Sequence, residues 1–264
     1  MSARLSQSLR RWSMGAALAG ALAATLLFLP ARWLAGPVAS MTRSHVQLVN
    51  ASGTLWNGRA DVVLSGGEDS RTRASLPGGI SWRLRPGLSP LASLSLTARC
   101  CTAEPLQLEF RLGWGLRELR WKAGSLRWPT ELLAGLGTPW NTLGLEGRMD
   151  IETPGLSVAL ARGRLVVDGQ VTVRAQDLSS RMATLRPLGS YQIDVRSGED
   201  GGATEIGLST LRGDLQIQGT GQWVGGRLRF RGEAWASPNR EAALANLLNI
   251  IGRRQGSRSI INLG

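Results

Sequence analysis

Asp150 and Glu152 are the residues best spaced for chemistry: two apart along an alternating run, they would share one face of a strand. Paired carboxylates on one face are what general acid–base work requires. The other acidic pair, Glu199-Asp200, is surrounded by glycines and reads as a solvated turn. His45 is the only histidine, so a metal site or a triad would depend on a single imidazole; the structural reading is the better one. Cys100 and Cys101 are the only cysteines and are adjacent, which leaves a vicinal disulfide, an intermolecular bridge or two thiols. Neighbours in a strand point to opposite faces and their bridge makes a small ring, so free or intermolecular thiols are the expectation. There is no C-x-x-C pair, G-x-S-x-G elbow, Walker loop, H-E-x-x-H helix, dinucleotide fingerprint or EF-hand loop. No catalytic residue, metal or cofactor is assigned, and an enzyme is not expected.

The elements that would position these groups are strands. Gly53-Thr54-Leu55-Trp56-Asn57-Gly58-Arg59-Ala60 reads as a short apolar run, an Asn-Gly turn and a second strand in which Ala60, Val62 and Leu64 alternate with polar residues. Asp168-Gly169 repeats the device within Gly163–Val173, and Gly213–Gly219 and Arg227–Ala234 echo it. Further alternating runs occur at Ile80–Arg85, Leu94–Cys100, Leu106–Leu112, Leu119–Trp128 and Leu143–Ile151. Two helices interrupt the pattern. One is short, near Thr130–Ala134. The other spans Pro238–Ile251, where Leu244, Leu247, Leu248 and Ile251 form a stripe at helical spacing behind a Ser237-Pro238 start, with Gly252 after it.

The N-terminus has a different character. Residues 1–11 are polar and basic, and Trp12 to Leu29 is almost wholly apolar; about 18 residues at ~1.5 Å each span close to the ~30 Å of a bilayer core. Arginines at the leading end place the N-terminus in the cytoplasm. The run exceeds a typical signal-peptide core, and Pro30 and Arg32 precede any cleavage site, so a retained anchor is the reading. The expected organisation is a cytoplasmic tail at 1–11, a transmembrane anchor at 12–33 and an extracytoplasmic β domain at 34–264.

Composition narrows the function classes. Lys and Arg number 31 against 19 Asp and Glu, but the arginines alternate with apolar residues, as strand faces require, and no nucleic-acid motif is present. Ten tryptophans against one tyrosine and three phenylalanines are read as core fillers of a wide sheet. Interaction, if the sheet works by contact, would use Trp56, Asn57, Gly58 and Arg59 at the first hairpin, Arg229 on a late strand, and Leu247, Leu248 and Ile251 on the last helix.

Taken together, the anchor, the Gly53–Ala60 hairpin, Pro187-Leu188-Gly189-Ser190-Tyr191, Gly219–Trp223, Phe230–Ala234 and Leu247–Arg253 resemble protein N of the type II secretion pathway of Gram-negative bacteria. The likeness runs nearly end to end and rests on glycine-and-aromatic strand signatures. It implies an inner-membrane, periplasm-facing accessory component of the machine that passes folded proteins through an outer-membrane secretin. The implied partners are other secretion components, in the inner-membrane platform or the secretin. That family is also similar to AsmA-like proteins, whose curled sheets form apolar grooves associated with lipid. The resemblance therefore implies a mainly β protein, with a transmembrane helix, an elongated curled antiparallel sheet and a short C-terminal helix. It also raises a lipid-handling alternative, which an open apolar groove would favour and a tryptophan-filled core would oppose.

Overall fold

The computed structural model describes residues 15–18, 20–22, 24–67, 70, 72–113, 116–138, 140–161, 164–198, 203–224 and 227–264. The expected cytoplasmic tail, the start of the apolar run, Trp114 and the Glu199-Asp200 pair lie outside these residues. Among them, 15 strands build one antiparallel sheet. The strands are β1 Val46–Gly53, β2 Asn57–Ser65, β3 Arg73–Ser75, β4 Ile80–Pro86 and β5 Ala92–Ala98. β6 Leu106–Gly113, β7 Leu116–Pro129, β8 Leu145–Ala161, β9 Arg164–Ser180 and β10 Gly189–Arg196 follow. The last are β11 Thr204–Gly213, β12 Leu215–Val224, β13 Arg227–Ala236, β14 Arg253–Gln255 and β15 Arg258–Leu263. The order is a meander, β1-β2-β4 and onward to β13-β15-β14, with β3 paired to β2 alone. Chain neighbours pair because alternating apolar and polar residues can bury one face only when the next strand folds back beside them.

Both predicted two-residue turns shift. Asn57-Gly58 does not form the reversal but opens β2, with Gly53 opposite Gly58 and Thr54–Trp56 making the turn. Its glycine is a packing requirement: a Cβ on Gly58 would stand 2.5 Å from Trp82 Cζ2 and 2.9 Å from the Ser52 oxygen. Asp168-Gly169 lies inside β9, with Gly169 opposite Leu156, and the chain reverses between Ala161 and Arg164 instead. The β8–β9 ladder is interrupted between Glu152 and Gly155, where a bulge lets two long strands twist together.

Short elements cover parts of one face, called inner here. A 3₁₀ turn at Ala31–Leu34 and helix α1 Ala35–Met41 bring Ala31 onto Ala60 and Trp82. A 3₁₀ segment at Thr130–Leu136 occupies the expected short helix and, with α2 Trp140–Leu143, adds Leu132 to a cluster of Val62, Leu64, Leu76, Ala98 and Cys101. Helix α3 Glu241–Ile251 begins later than expected. Ser237 does not cap it, because both its amide and its hydroxyl are bonded to Asp214 at the head of β12. After α3 the backbone is extended at Gly252, and Arg253 and Arg254 enter the β14–β15 hairpin rather than closing a helix. Residues 15–18, 20–22 and 24–27 are helical, and among the described residues no helix is long and apolar enough to cross a membrane.

The cysteines correct the thiol expectation: Cys100 and Cys101 are joined as a vicinal disulfide in the turn after β5. The turn, closed by the Cys101 and Thr102 amides on the Ala98 oxygen, takes the pair off the strand, so the opposite-face argument does not apply. Cys101 is buried against Val62, Leu64 and Leu132. The unreduced chain should therefore take up no alkylating reagent, and the reduced, unfolded chain should take up two, as intact mass would show.

Candidate interaction surfaces

Alternation gives the sheet two chemically distinct faces. Inner-facing residues meet across successive ladders as Leu94 with Leu108, Phe110 with Leu119, Trp121 with Leu156, Val158 with Val167, Ile193 with Val173 and Leu208, and Val195 with Ile206. Outer-facing partners are polar: Gln107 with Ser95, Arg174 with Glu152, and Thr172 with Asp194. Among the described residues, the inner face is covered only where the short elements lie. Its middle has no second layer among them, and Phe110 and Leu119 each remain 37 % exposed. Tryptophans do not fill it. Of the ten, Trp82 alone is buried among the described residues, at 5 %, while Trp33, Trp140 and Trp223 are exposed. The core-filler expectation is thus corrected: a single-layered sheet offers few positions enclosed on every side of so large a ring.

The acidic candidates turn out to be parts of the outer ladder. Asp150 accepts from Gln176 at 2.8 Å and lies 3.6 Å from Arg127, and Glu152 accepts from Arg174 at 2.8 Å. They do share the outer face, but each is committed to a cross-strand partner. Burial pushes Asp194 up, yet hydrogen bonds from Gln192 and Thr172, with Arg196 and Arg174 nearby, hold it below the usual carboxylate range. Glu109 is held below that range chiefly by the Lys122 hydrogen bond at 2.7 Å, with Arg111 at 3.2 Å. A lowered folded-state value means that the charged form stabilises the fold above the ordinary carboxylate range and that this support is lost as pH falls through the lowered value. Glu109→Gln should cost about 1 kcal/mol near neutral pH, and the difference should shrink as pH falls below the ordinary carboxylate range, as urea midpoints would show. His45 Nδ1 lies 2.9 Å from the Thr42 oxygen, and no cluster of three metal-ligating side chains occurs among the described residues.

The interaction candidates separate into three places. Trp56 and Asn57 sit at the β1–β2 reversal, where the Trp56 indole donates to the Leu26 oxygen at 2.8 Å and the Asn57 oxygen accepts the Thr54 amide. Gly58 is enclosed under Trp82, while Arg59 is exposed on the outer face and donates to Ser52. Arg229 lies far along the sheet order, on the outer face of β13 opposite Gln222, in an open hollow of about 1180 Å³ shared with Arg196, Glu205, Thr220 and Arg231. Leu247 and Leu248 are buried and Ile251 half-buried, packed on Tyr191, Leu215 and Ala234. These three belong to a core, because the stripe that would dock a partner is taken by the sheet. The uncovered inner face and the β4–β5 loop were not selected by sequence reasoning; alternation signalled the first, and the apolar loop Gly87-Leu88-Ser89-Pro90-Leu91 the second.

The family model for type II secretion system protein N matches residues 44–261, which takes in every strand of the sheet apart from the last residues of β15. No curated protein and no solved structure matches the chain. The chain belongs to the type II secretion system protein N family.

Proposed function

We propose that this type II secretion accessory component is a single-pass inner-membrane protein, anchored through residues 12–33 with residues 1–11 in the cytoplasm and the sheet in the periplasm. It carries out no chemistry. It supports export of folded proteins through the outer membrane by contact with other secretion components, in the inner-membrane platform or the secretin. The observation that carries this reading is the family match across the sheet, residues 44–261. The exposed outer-face guanidiniums of Arg59, which gives only its Nε to Ser52, and of Arg229 support it as contact points. The test is a photo-crosslinker at Arg59 or Arg229 in secreting cells, with the adducts identified, alongside a deletion strain. Deletion should block release of folded exoproteins and leave their maturation unchanged; normal release would end the proposal.

A second reading has one observation in its favour. Among the described residues, the middle of the apolar inner face lacks a second layer, and a twisted sheet of this strand number tends to curl around such a face. Acyl chains of a phospholipid would suit it. Native mass spectrometry should then find lipid retained by the wild-type chain and lost from Ile193→Asp. A deletion strain with normal secretion and altered outer-membrane lipid would favour this reading over the first.

A further inference from the structure

The β1–β2 reversal is tied to the end of the N-terminal helix at three points. Trp56 Nε1 donates to the Leu26 oxygen at 2.8 Å, the Leu55 amide donates to the Leu29 oxygen at 2.8 Å, and Thr54 forms a bridge with Pro30. The same reversal holds the end of β4, because the Leu84 amide donates to the Trp56 oxygen at 2.7 Å. Four residues further on, at most about 14 Å of extended chain, the β4–β5 loop presents Leu88 wholly to solvent, 103 % exposed, with Leu91 also exposed. The Gly87 amide closes this loop on the Leu91 oxygen at 2.8 Å, and the loop carries no charge.

We propose that the β4–β5 loop is a second membrane contact, inserting Leu88 and Leu91 into an anionic phospholipid surface beside the N-terminal helix. The proposal rests on the reading of residues 12–33 as a retained anchor. Continuity with that helix selects a bilayer as the occupant: whatever depth the helix end takes, the hydrogen-bonded reversal brings the loop within reach of it. Charge supports the same occupant. Arg83 and Arg85 stand exposed on the outer face just behind the loop, Arg32 is exposed at the helix end, and none of the three forms an ion pair among the described residues. Apolar side chains in front of unpaired guanidiniums are the pattern that sits in a headgroup layer: the leucines enter the acyl boundary and the arginines meet phosphates. Trp33, also exposed, is of the type enriched at that depth.

The experiment uses the full chain with its disulfide intact, reconstituted in phosphatidylcholine vesicles with or without phosphatidylglycerol. Spin labels are placed singly at Leu88→Cys, at Leu22→Cys in the helix and at Glu241→Cys on exposed α3, and their collisions with oxygen and with a water-soluble nickel chelate are compared. The label at 88 should lose most of its nickel accessibility and gain oxygen accessibility relative to 241, more so with phosphatidylglycerol. Arg83→Gln with Arg85→Gln should return it toward water in anionic vesicles and leave it unchanged in zwitterionic ones. A label at 88 as aqueous as the one at 241, with 22 in lipid, overturns the loop contact and leaves the anchor standing. Labels at 22 and 88 that are both aqueous overturn the anchor and the loop together. Protection at 88 that appears only at high protein density, without oxygen access, overturns lipid in favour of a second copy.

Discussion

Leu248→Ala should lower the unfolding free energy by about 3–5 kcal/mol, near the top of the range for removing a buried leucine. Leu248 is fully buried on α3, among Leu244, Tyr191, Leu215 and Ala234. The cost depends on how far the surroundings collapse into the space left, and here they are held. Ala183, Ala234 and Ala236 are too small to reach across, and the Leu248 oxygen is bonded at 2.7 Å by the hydroxyl of Ser259, itself fully buried on β15. The helix therefore cannot slide inward without giving up that bond. Urea unfolding in detergent, followed by tryptophan fluorescence, checks it. A loss below about 1 kcal/mol would mean that α3 is not docked as described.

Gly213→Ala should cost about 3 kcal/mol or more, through the backbone rather than a core. Gly213 ends β11 with φ at +129°, a conformation that strains any residue with a Cβ. The added methyl would also stand 2.2 Å from the Gly189 Cα and 2.5 Å from the Leu188 oxygen. Both are backbone atoms, so relief requires parting β10 from β11 where Gly189 and Gly213 face each other. Gly207 on the same strand supplies the control. A Cβ there meets nothing within 4 Å, so Gly207→Ala should change stability by no more than about 0.5 kcal/mol. Thermal unfolding of the two variants separates them, and equal midpoints would remove the clash as an explanation.

The strand runs were legible because period-two alternation is a property of adjacent residues. Ile80–Arg85 and Leu106–Leu112, read from their pattern, fall inside β4 and β6. Turn position was less so. Asn57-Gly58 and Asp168-Gly169 have turn chemistry but sit in strands, because the ladder partners of Gly58 and Gly169 decide where the chain reverses, and those partners are set by register. The last hairpin was invisible: Arg253–Gln255 is too short and polar to signal a strand, and it becomes one only by pairing with β15. Of the interaction residues, Arg59 and Arg229 were exposed as a polar strand position predicts. Leu247 and Leu248 could not be divided between core and docking face from spacing alone, since an apolar helical stripe has the same form whether its partner is the chain's own sheet or another molecule.

Sequence alone determined that this chain is mainly β, that its strands carry one apolar and one polar face, and that a short helix follows near the end. It also carried the family, through the glycine and aromatic spacings along its strands. Only the tertiary structure decided which apolar residues receive a cover, that Trp82 alone of the tryptophans among the described residues is buried, and that adjacent cysteines bond to each other. The physical reason is the range of the interactions. Alternation is set between neighbours two residues apart, whereas burial depends on which distant segment comes to rest on a face.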